Sequence, residues 1–388
     1  MSAPTGLVLP LPPKRVASQL LRPYRFAVLG DSTSGANSGE SSESSRFHGS
    51  DWPTYLQLTS KGRFQLAINK SVSGASTAAI LGNLSTVLGS ATNPDICFVL
   101  GGANDADGTP TLAESKANLQ AIYTGLIAAG IQPIALTQLP NDSYSSNTQQ
   151  RNAWIKAYCL RNGIPCIDVY SAVVDASDGG WNTTYSGDGV HPNAAGHRLI
   201  ASTILAAFDG LGLPYPTLLC TAQSDATNLV TNGCFVGDAN ADGVADNWTK
   251  SGSAGTHTWT LQADASNVLG NWQQDVISSA GMTYLTQTIS SGWSVGDRLY
   301  FCGKYASSGA VAGSLSPQAK VIFWGANASL GAMYLPILDV DDRAFFGIEG
   351  TVPSDITSMT IQLFASVGTG TLRFGQVTLV NLTTLGVV

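Results

Sequence analysis

The chain has 388 residues, a formal net charge of −7, 12% charged residues and 44% hydrophobic ones. No basic stripe runs along it, which argues against a nucleic-acid partner, and no apolar run approaches the length of a membrane span. The length suits two domains, and helical periodicity gives way to short alternating runs after about Leu213.

Residues 1–22 are proline-rich and lack the apolar core of a secretory signal, so they read as an extended arm or linker. Arg25-Phe26-Ala27-Val28-Leu29, closed by glycine, reads as a buried strand over Phe26–Leu29. Gly30-Asp31-Ser32 stands at its end. A serine just past the carboxyl end of such a strand sits where open α/β sheets place their ligands. Its hydroxyl is a poor nucleophile unless a neighbouring base takes the proton. Taken alone, the motif also fits a Ser/Gly turn, since Ser-rich sequence runs from Ser32 to Ser45.

Phe64–Asn69 is the next strand candidate. Gly74 follows in Ser73-Gly74-Ala75-Ser76, where the missing side chain lets a backbone N–H approach a ligand oxygen. An ordinary strand-to-helix turn is the alternative. Ile96–Leu100 is a third strand, followed by Gly102-Ala103-Asn104-Asp105. The Asn104 amide can donate a hydrogen bond to a developing oxyanion, although Asn104-Asp105 also fits an Asx turn.

Leu112 to Ala129 has helical periodicity, with a Thr111/Glu114 capping box and Gly130 as its stop. Pro133–Thr137 reads as a strand. Thr148 to Asn162 reads as a helix, with Trp154, Ile155, Tyr158 and Leu160 apolar, and Cys166–Val169 as another strand. Asp188-Gly189-Val190-His191 comes next. Pro192 then opens a helical pattern from Asn193 to Ala207. Of the four histidines (His48, His191, His197 and His257), His191 is the base candidate. One tight turn can bring the Asp188 carboxylate to its imidazole, fixing the tautomer and stabilising the imidazolium. The plainer reading makes Asp188 a helix cap and His191 a surface residue. His197 reads as an ordinary helix residue. Strands alternating with helices mean a mostly parallel sheet with both faces covered.

The four motifs, in this order, resemble the four sequence blocks of the SGNH hydrolases, also called GDSL esterases and lipases. Gly30-Asp31-Ser32 matches the first block, Gly74 the second, Gly102-Ala103-Asn104-Asp105 the third and Asp188-Gly189-Val190-His191 the fourth. The first block reads Gly-Asp-Ser-Thr here instead of Gly-Asp-Ser-Leu, and the resemblance covers Tyr24 to Leu213. It implies a flavodoxin-like three-layer α/β/α domain. It also implies ester hydrolysis through an acyl-serine, with Ser32, Asp188 and His191 as the catalytic residues. Ser32, Gly74 and Asn104 would form the oxyanion hole, and the chemistry would need no cofactor. The expected domain plan is an arm at 1–22, the hydrolase at 23–215, a linker at 216–227 and a second domain at 228–388.

From Asn228 on, alternating runs at His257–Gln262, Thr283–Ile289, Arg298–Tyr305, Ala319–Trp324, Thr360–Ala365 and Leu372–Leu379 read as an antiparallel β-sandwich. The opening segment from Asn228 resembles the first strand of carbohydrate-binding-module-like jelly rolls. Asp238, Asn240, Asp242 and Asp246 space their oxygens like part of a calcium loop around Gly243, so a structural calcium is expected there. Thr249 stands where an EF-hand places its bidentate Glu, and a solvated turn is the alternative. Exposed tryptophans among Trp248, Trp259, Trp272, Trp293 and Trp324 would offer stacking platforms for sugars, although most should be core. The six cysteines show no metal spacing. Cys97 reads as a buried thiol, while Cys159 with Cys166 and Cys220 with Cys234 are near enough in sequence to pair.

These features together suggest an O-acetyl esterase acting on an acetylated polysaccharide. A lipase or broad carboxylesterase is one alternative, and a non-enzymatic glycan-binding adhesin on a relic hydrolase fold is another. Polar loops around Asp105 and Asn141 favour a short acyl group on a polar scaffold. The setting would be extracellular or virion-associated: a phage tail protein, which would then be a homotrimer, or a secreted bacterial esterase.

Overall fold

The computed structural model describes residues 22–35, 51–90, 92–105, 109–142, 145–210, 218–252, 255–263, 268–279, 281–309, 317–326, 328–334, 344–366 and 368–387. Nearly all of the expected N-terminal arm lies outside them, as do His48, residues 106–108 and 143–144 of two polar loops, and the start of the expected linker. The chain divides into two compact units, Met1–Tyr215 and Pro216–Val388.

The first unit is built on five parallel strands: β1 (Tyr24–Gly30), β2 (Phe64–Asn69), β3 (Ile96–Leu100), β4 (Gln132–Leu136) and β5 (Cys166–Ile167). Their order in the sheet is β2-β1-β3-β4-β5. The helices are α1 (Trp52–Thr59), α2 (Thr77–Gly82), α3 (Leu84–Leu88), α4 (Leu112–Ala128), α5 (Ser145–Asn162), α6 (Tyr170–Val173) and α7 (Ala194–Asp209). Side chains alternate between the faces of a strand, so each strand serves two cores. On one face Ala27, Leu29, Cys97, Val99 and Ala135 pack with Ile80 of α2, Val87 of α3, Leu119 and Ile122 of α4, and Ile155 of α5. On the other, Phe26 and Phe98 meet Phe64, Trp52 of α1 and Phe208 of α7 edge-on. Helices therefore cover both faces, giving three layers, α/β/α. The nearly continuous apolar runs of β1 and β3 follow from that double burial.

The capping box of α4 forms as its sequence suggests, with Thr111 accepting from Glu114 N–H and the Glu114 side chain reaching back to Thr111 N–H. Several boundaries differ from expectation: α5 starts at Ser145, not Thr148, α7 runs on to Asp209, and β4 is shifted back by one residue. β5 stops at Ile167 because Asp168 turns away to hold Thr137, Lys156 and Ser171. α1 is additional, and its start signal is the Asp51 carboxylate accepting the Thr54 N–H at 2.9 Å, with proline in the first turn.

The second unit consists of two antiparallel five-stranded sheets that form a β-sandwich. One has the order β13 (Ala344–Thr351), β10 (Arg298–Ser308), β15 (Gly370–Asn381), β8 (Asn271–Ser279) and β7 (Thr256–Ala263). The other runs β12 (Ala328–Tyr334), β11 (Pro317–Trp324), β14 (Ser358–Ser366), β9 (Met282–Ile289) and β6 (Thr249–Gly252). Six of these ten strands contain the runs expected from alternation. β8 escapes notice because its inward residues include Gln273 and Asp275, both buried, while Gln274 on the other face is buried too. β13 hides its alternation because Ala344 to Ile348 is buried on both faces. Among the described residues no helix is long and apolar enough to cross a membrane.

Candidate active site

All the motif residues lie at or beyond the carboxyl ends of the parallel strands. β1 sits between β2 and β3, where the strand order reverses and open α/β sheets leave a crevice. Ser32 follows β1 and opens a 3₁₀ turn, Ser32–Ser34. Asp31 caps that turn by accepting the Thr33 N–H at 2.9 Å and the Thr33 hydroxyl at 2.7 Å. Burial pushes the Asp31 carboxyl above its ordinary pKa, against the pull of the Thr33 bonds and His191. Gly30 is required by space: a Cβ there would stand 2.9 Å from the Leu100 carbonyl oxygen.

The Ser32 hydroxyl lies 2.9 Å from His191 Nε2. His191 Nδ1 lies 2.7 Å from Asp188 Oδ2. The other Asp188 oxygen accepts the backbone N–H of Val190 at 2.9 Å and of His191 at 2.7 Å. Desolvation raises the Asp188 carboxyl, but the bonds from His191 and Val190 outweigh it and hold the pKa well below the usual carboxylate range. Gly189 adopts φ +75°, which favours glycine, and its carbonyl accepts the Asp142 N–H at 3.0 Å. The His191 and Asp188 side chains are 43% and 56% exposed, so this half of the site faces solvent.

α7 begins immediately after this loop, with Asn193 as its cap, accepting the Gly196 N–H at 3.0 Å. His197 is more than an ordinary helix residue. It is buried, and its Nδ1 accepts the Trp52 N–H at 3.1 Å, tying α7 to α1.

Asn104 is half-buried and its Nδ2 donates to the Ala75 carbonyl at 3.2 Å. The amide carries two hydrogens, so this bond orients it and leaves the second to donate elsewhere. Gly74 is exposed with φ +72°, and nothing stands near its missing Cβ, so the backbone conformation alone calls for glycine there. Asp105 accepts the Thr77 N–H at 2.8 Å and its hydroxyl at 2.7 Å. The loop after β3 is thus fastened to the segment that follows Gly74.

Two supporting residues, Arg151 and Gln138, were not singled out by sequence, and Asn141 and Asp142 were read there only as part of a polar loop. Arg151 falls on the inward stripe of α5 that carries Ile155 and Cys159, and a charged residue on an apolar stripe was the available signal.

In the second unit, Asp238 accepts the backbone N–H groups of Asp242 and Gly243, Asp242 that of Val244, and Asp246 that of Ala239. Asn240 donates to Asp242 at 2.9 Å. Among the described residues no group of three or more His, Cys, Asp or Glu side chains is arranged to hold a metal. Cys97 is buried, and burial raises its thiol pKa. All six cysteines are unbonded thiols, but the Cys220 and Cys234 sulfurs stand 3.4 Å apart. Of the five tryptophans in this unit, Trp324 is exposed, at 49%, whereas Trp248, Trp259 and Trp272 are core.

Residues 28–199 match the family model of the GDSL-like Lipase/Acylhydrolase family, and that span contains all four motifs. The first unit thus carries a GDSL-like lipase/acylhydrolase domain. The GDSL-like domain makes the protein a hydrolase of the esterase type. Similar solved structures include an acetylxylan esterase from Geobacillus stearothermophilus, at 18% identity and TM-score 0.42, covering 48% of this chain and 95% of that one. A GDSL-like lipase from Bacteroides thetaiotaomicron VPI-5482 is 21% identical with TM-score 0.39, covering 51% and 97%. A member of the lipolytic protein G-D-S-L family from Veillonella parvula DSM 2008 is 20% identical with TM-score 0.38, covering 48% and 98%. No curated protein sequence matches.

Proposed function

We propose that the protein is a serine esterase that removes O-acetyl groups from an acetylated polysaccharide. The observation that carries this reading is the chain of contacts from the Ser32 hydroxyl through His191 to Asp188. Ser32 Oγ attacks the ester carbonyl carbon while its proton passes to His191 Nε2, and Asp188 stabilises the imidazolium. The tetrahedral oxyanion takes hydrogen bonds from the Asn104 amide and from the backbone N–H groups of Ser32 and Gly74. Collapse breaks the ester C–O bond, His191 returns the proton to the departing sugar hydroxyl, and acyl-Ser32 remains. Water, deprotonated by His191, then releases acetate and restores the serine.

Two features support a short acyl group on a polar scaffold. His191 and Asp188 lie open to solvent. In the described loops at 71–76, 101–105 and 186–192, the one exposed large apolar side chain is Val72. A long acyl chain needs an extended apolar wall, because each buried methylene contributes about 0.8 kcal/mol only where apolar surface receives it. The β-sandwich, with Trp324 exposed on β11, is proposed to hold the glycan, in an extracellular or virion setting. A structural calcium at Asp238, Asn240, Asp242 and Asp246 is part of the same proposal and rests on their spacing.

The test is hydrolysis of p-nitrophenyl esters of increasing chain length, alongside acetate release from acetylated polysaccharides. Acetate esters should be cleaved fastest. Faster cleavage of palmitate would replace this reading with that of a lipase, and glycan binding without any hydrolysis would point to an adhesin.

A further inference from the structure

Behind the Asn104 loop lies a buried polar network that the chemical steps above do not use. Arg151 of α5 is its centre, with a side chain only 2% exposed. Its Nη1 donates to the Gly102 carbonyl at 3.1 Å and to the Gln138 side-chain oxygen. Its Nε donates to the Ser115 hydroxyl of α4 at 2.7 Å. Its Nη2 stands 3.7 Å from Asp105 Oδ2. Asp105 in turn holds the Thr77 N–H and hydroxyl, and Asn118 donates to that hydroxyl at 3.1 Å. Gln138 is itself fixed, because its backbone N–H and carbonyl both bond the Asn152 side chain. A Cβ at Gly102 would stand 2.7 Å from Arg151 Cδ, so the arginine lies directly against that backbone.

The residues around Asn104 are therefore pinned one by one. Gly102 is held by Arg151, Ala103 by a bond from Asn141 at 3.2 Å, and Asp105 by Thr77 and Arg151. Asn104 itself touches the Ala75 carbonyl, next to Gly74. A buried ion pair is poor as a stabiliser, since an apolar core of similar volume does as well or better. What an apolar core cannot supply is direction, and the rigid guanidinium fork fixes several chain segments at set angles.

We propose that Arg151 is a positioning residue for the oxyanion hole: with Asp105 it locks the loop carrying Asn104 onto the segment after Gly74, so that the two donors keep one separation before substrate arrives. This rests on the reading in which Asn104 and Gly74 donate to the oxyanion. Donors held in place need no reorganisation during the reaction, and a misplacement of about 1 Å can cost about 10²-fold in rate.

The experiment is steady-state hydrolysis of p-nitrophenyl acetate by the full chain, with melting temperatures recorded for every variant. Arg151→Met, Asp105→Asn and Asn104→Ala are compared singly, and each of the first two is combined with Asn104→Ala. Arg151→Met and Asp105→Asn should each lower kcat about tenfold with KM changed less than about twofold. In the Asn104→Ala background the same changes should cost less than about twofold more, because the group they position is gone. If Arg151→Met does not fold, Asp105→Asn decides. A folded Asp105→Asn chain with wild-type kcat overturns the proposal, and so do losses that multiply in full with that of Asn104→Ala. An Asn104→Ala chain as fast as wild type overturns the oxyanion reading itself, whereas an active Ser32→Ala chain overturns the esterase reading. The three failures are thus told apart.

Discussion

Ser32 Oγ lies 2.9 Å from His191 Nε2, although 159 positions separate the two residues in sequence. One stands at the exit of β1 and the other in the loop that enters α7, so the contact exists only in the folded domain. Ser32→Ala removes the hydroxyl and one hydrogen bond, and leaves the cap at Asp31 and the strand intact. Ester turnover should fall by about 10⁴–10⁶ with the melting temperature nearly unchanged. Near-normal turnover in a folded variant would remove Ser32 from the mechanism.

The Asp188 carboxyl is held well below the usual range, chiefly by bonds from His191 and Val190 working against desolvation. With its folded pKa depressed, Asp188 stays ionised as the pH falls through the mildly acid range. Loss of activity on the acid side should therefore reflect a single protonation elsewhere than at Asp188. A plot of log kcat/KM against pH should fall with a slope of one on that limb. A slope of two before the fold is lost would mean that a second group titrates with it. Asp188→Asn should lower kcat by about 10⁴ while the loop stays folded, as loss of the orienting carboxylate does in such triads.

His197 and Asp51 set opposing pH dependences in the first unit. Desolvation, with the charge of His191 behind it, lowers His197 to about 4 from 6.5. Between those values the unfolded chain binds a proton that the folded chain does not. The contribution of His197 is therefore complete above pH 6.5 and fades as the pH falls toward 4, by about 3 kcal/mol at most. Desolvation raises Asp51 to about 6 from 3.8, against its bonds to Thr54. Its contribution is complete below pH 3.8 and is lost as the pH rises through 6. Asp51→Asn keeps a good helix cap and removes that second titration. The variant should melt higher than wild type at pH 7, and its melting temperature should drop more steeply between pH 6.5 and 4. Parallel curves for the two proteins would contradict this.

The Asp238–Asp246 loop gathers three carboxylates that face its own backbone N–H groups. Gathering like charges in one short loop is costly unless a cation offsets them. If calcium binds there, its affinity for the folded form adds stability by mass action, about 2.7 kcal/mol at a hundredfold excess over Kd. The melting transition of the second unit should rise in calcium relative to chelator. A transition indifferent to both would leave the backbone bonds as the whole explanation of the loop.

What could be read from sequence was whatever has a local signature. The five strands and the helices α4, α5 and α7 of the first unit, the Thr111/Glu114 cap and the four motifs all depend on residues a few positions apart. The Ser32–His191 contact was reachable because each motif names its own part. The network around Arg151 was not, because its partners come from α4 and from the loops after β3 and β4 and share no spacing. His197 failed for a related reason: the N–H that it accepts belongs to Trp52, on a helix whose start rests on a single cap. In the sandwich, β8 was missed because Gln273 and Asp275 point inward and carry bonds to Gly243 and His257, which breaks the polar-out pattern on which alternation relies.

The last prediction concerns what the second unit does for catalysis. The first unit has its own core on both faces of its sheet, and every residue proposed to act on the ester belongs to it. Removing the chain after Tyr215 should therefore leave kcat and KM for p-nitrophenyl acetate within about twofold of the full protein. A soluble nitrophenyl ester gains nothing from a tether. An acetylated polysaccharide does, because a module that holds the polymer turns later encounters into intramolecular ones and raises effective concentration without touching the active site. Acetate release from the polymer should thus fall on truncation, most of all at low polymer concentration, and should recover as the polymer is made concentrated. Trp324→Ala in the full chain should reproduce part of that loss, since Trp324 is the exposed tryptophan on the sandwich and stacking on one ring contributes about 1 kcal/mol or more. Equal loss on polymer and on nitrophenyl acetate would mean that truncation damages the catalytic unit. Equal retention on both would mean that the sandwich serves something other than the substrate.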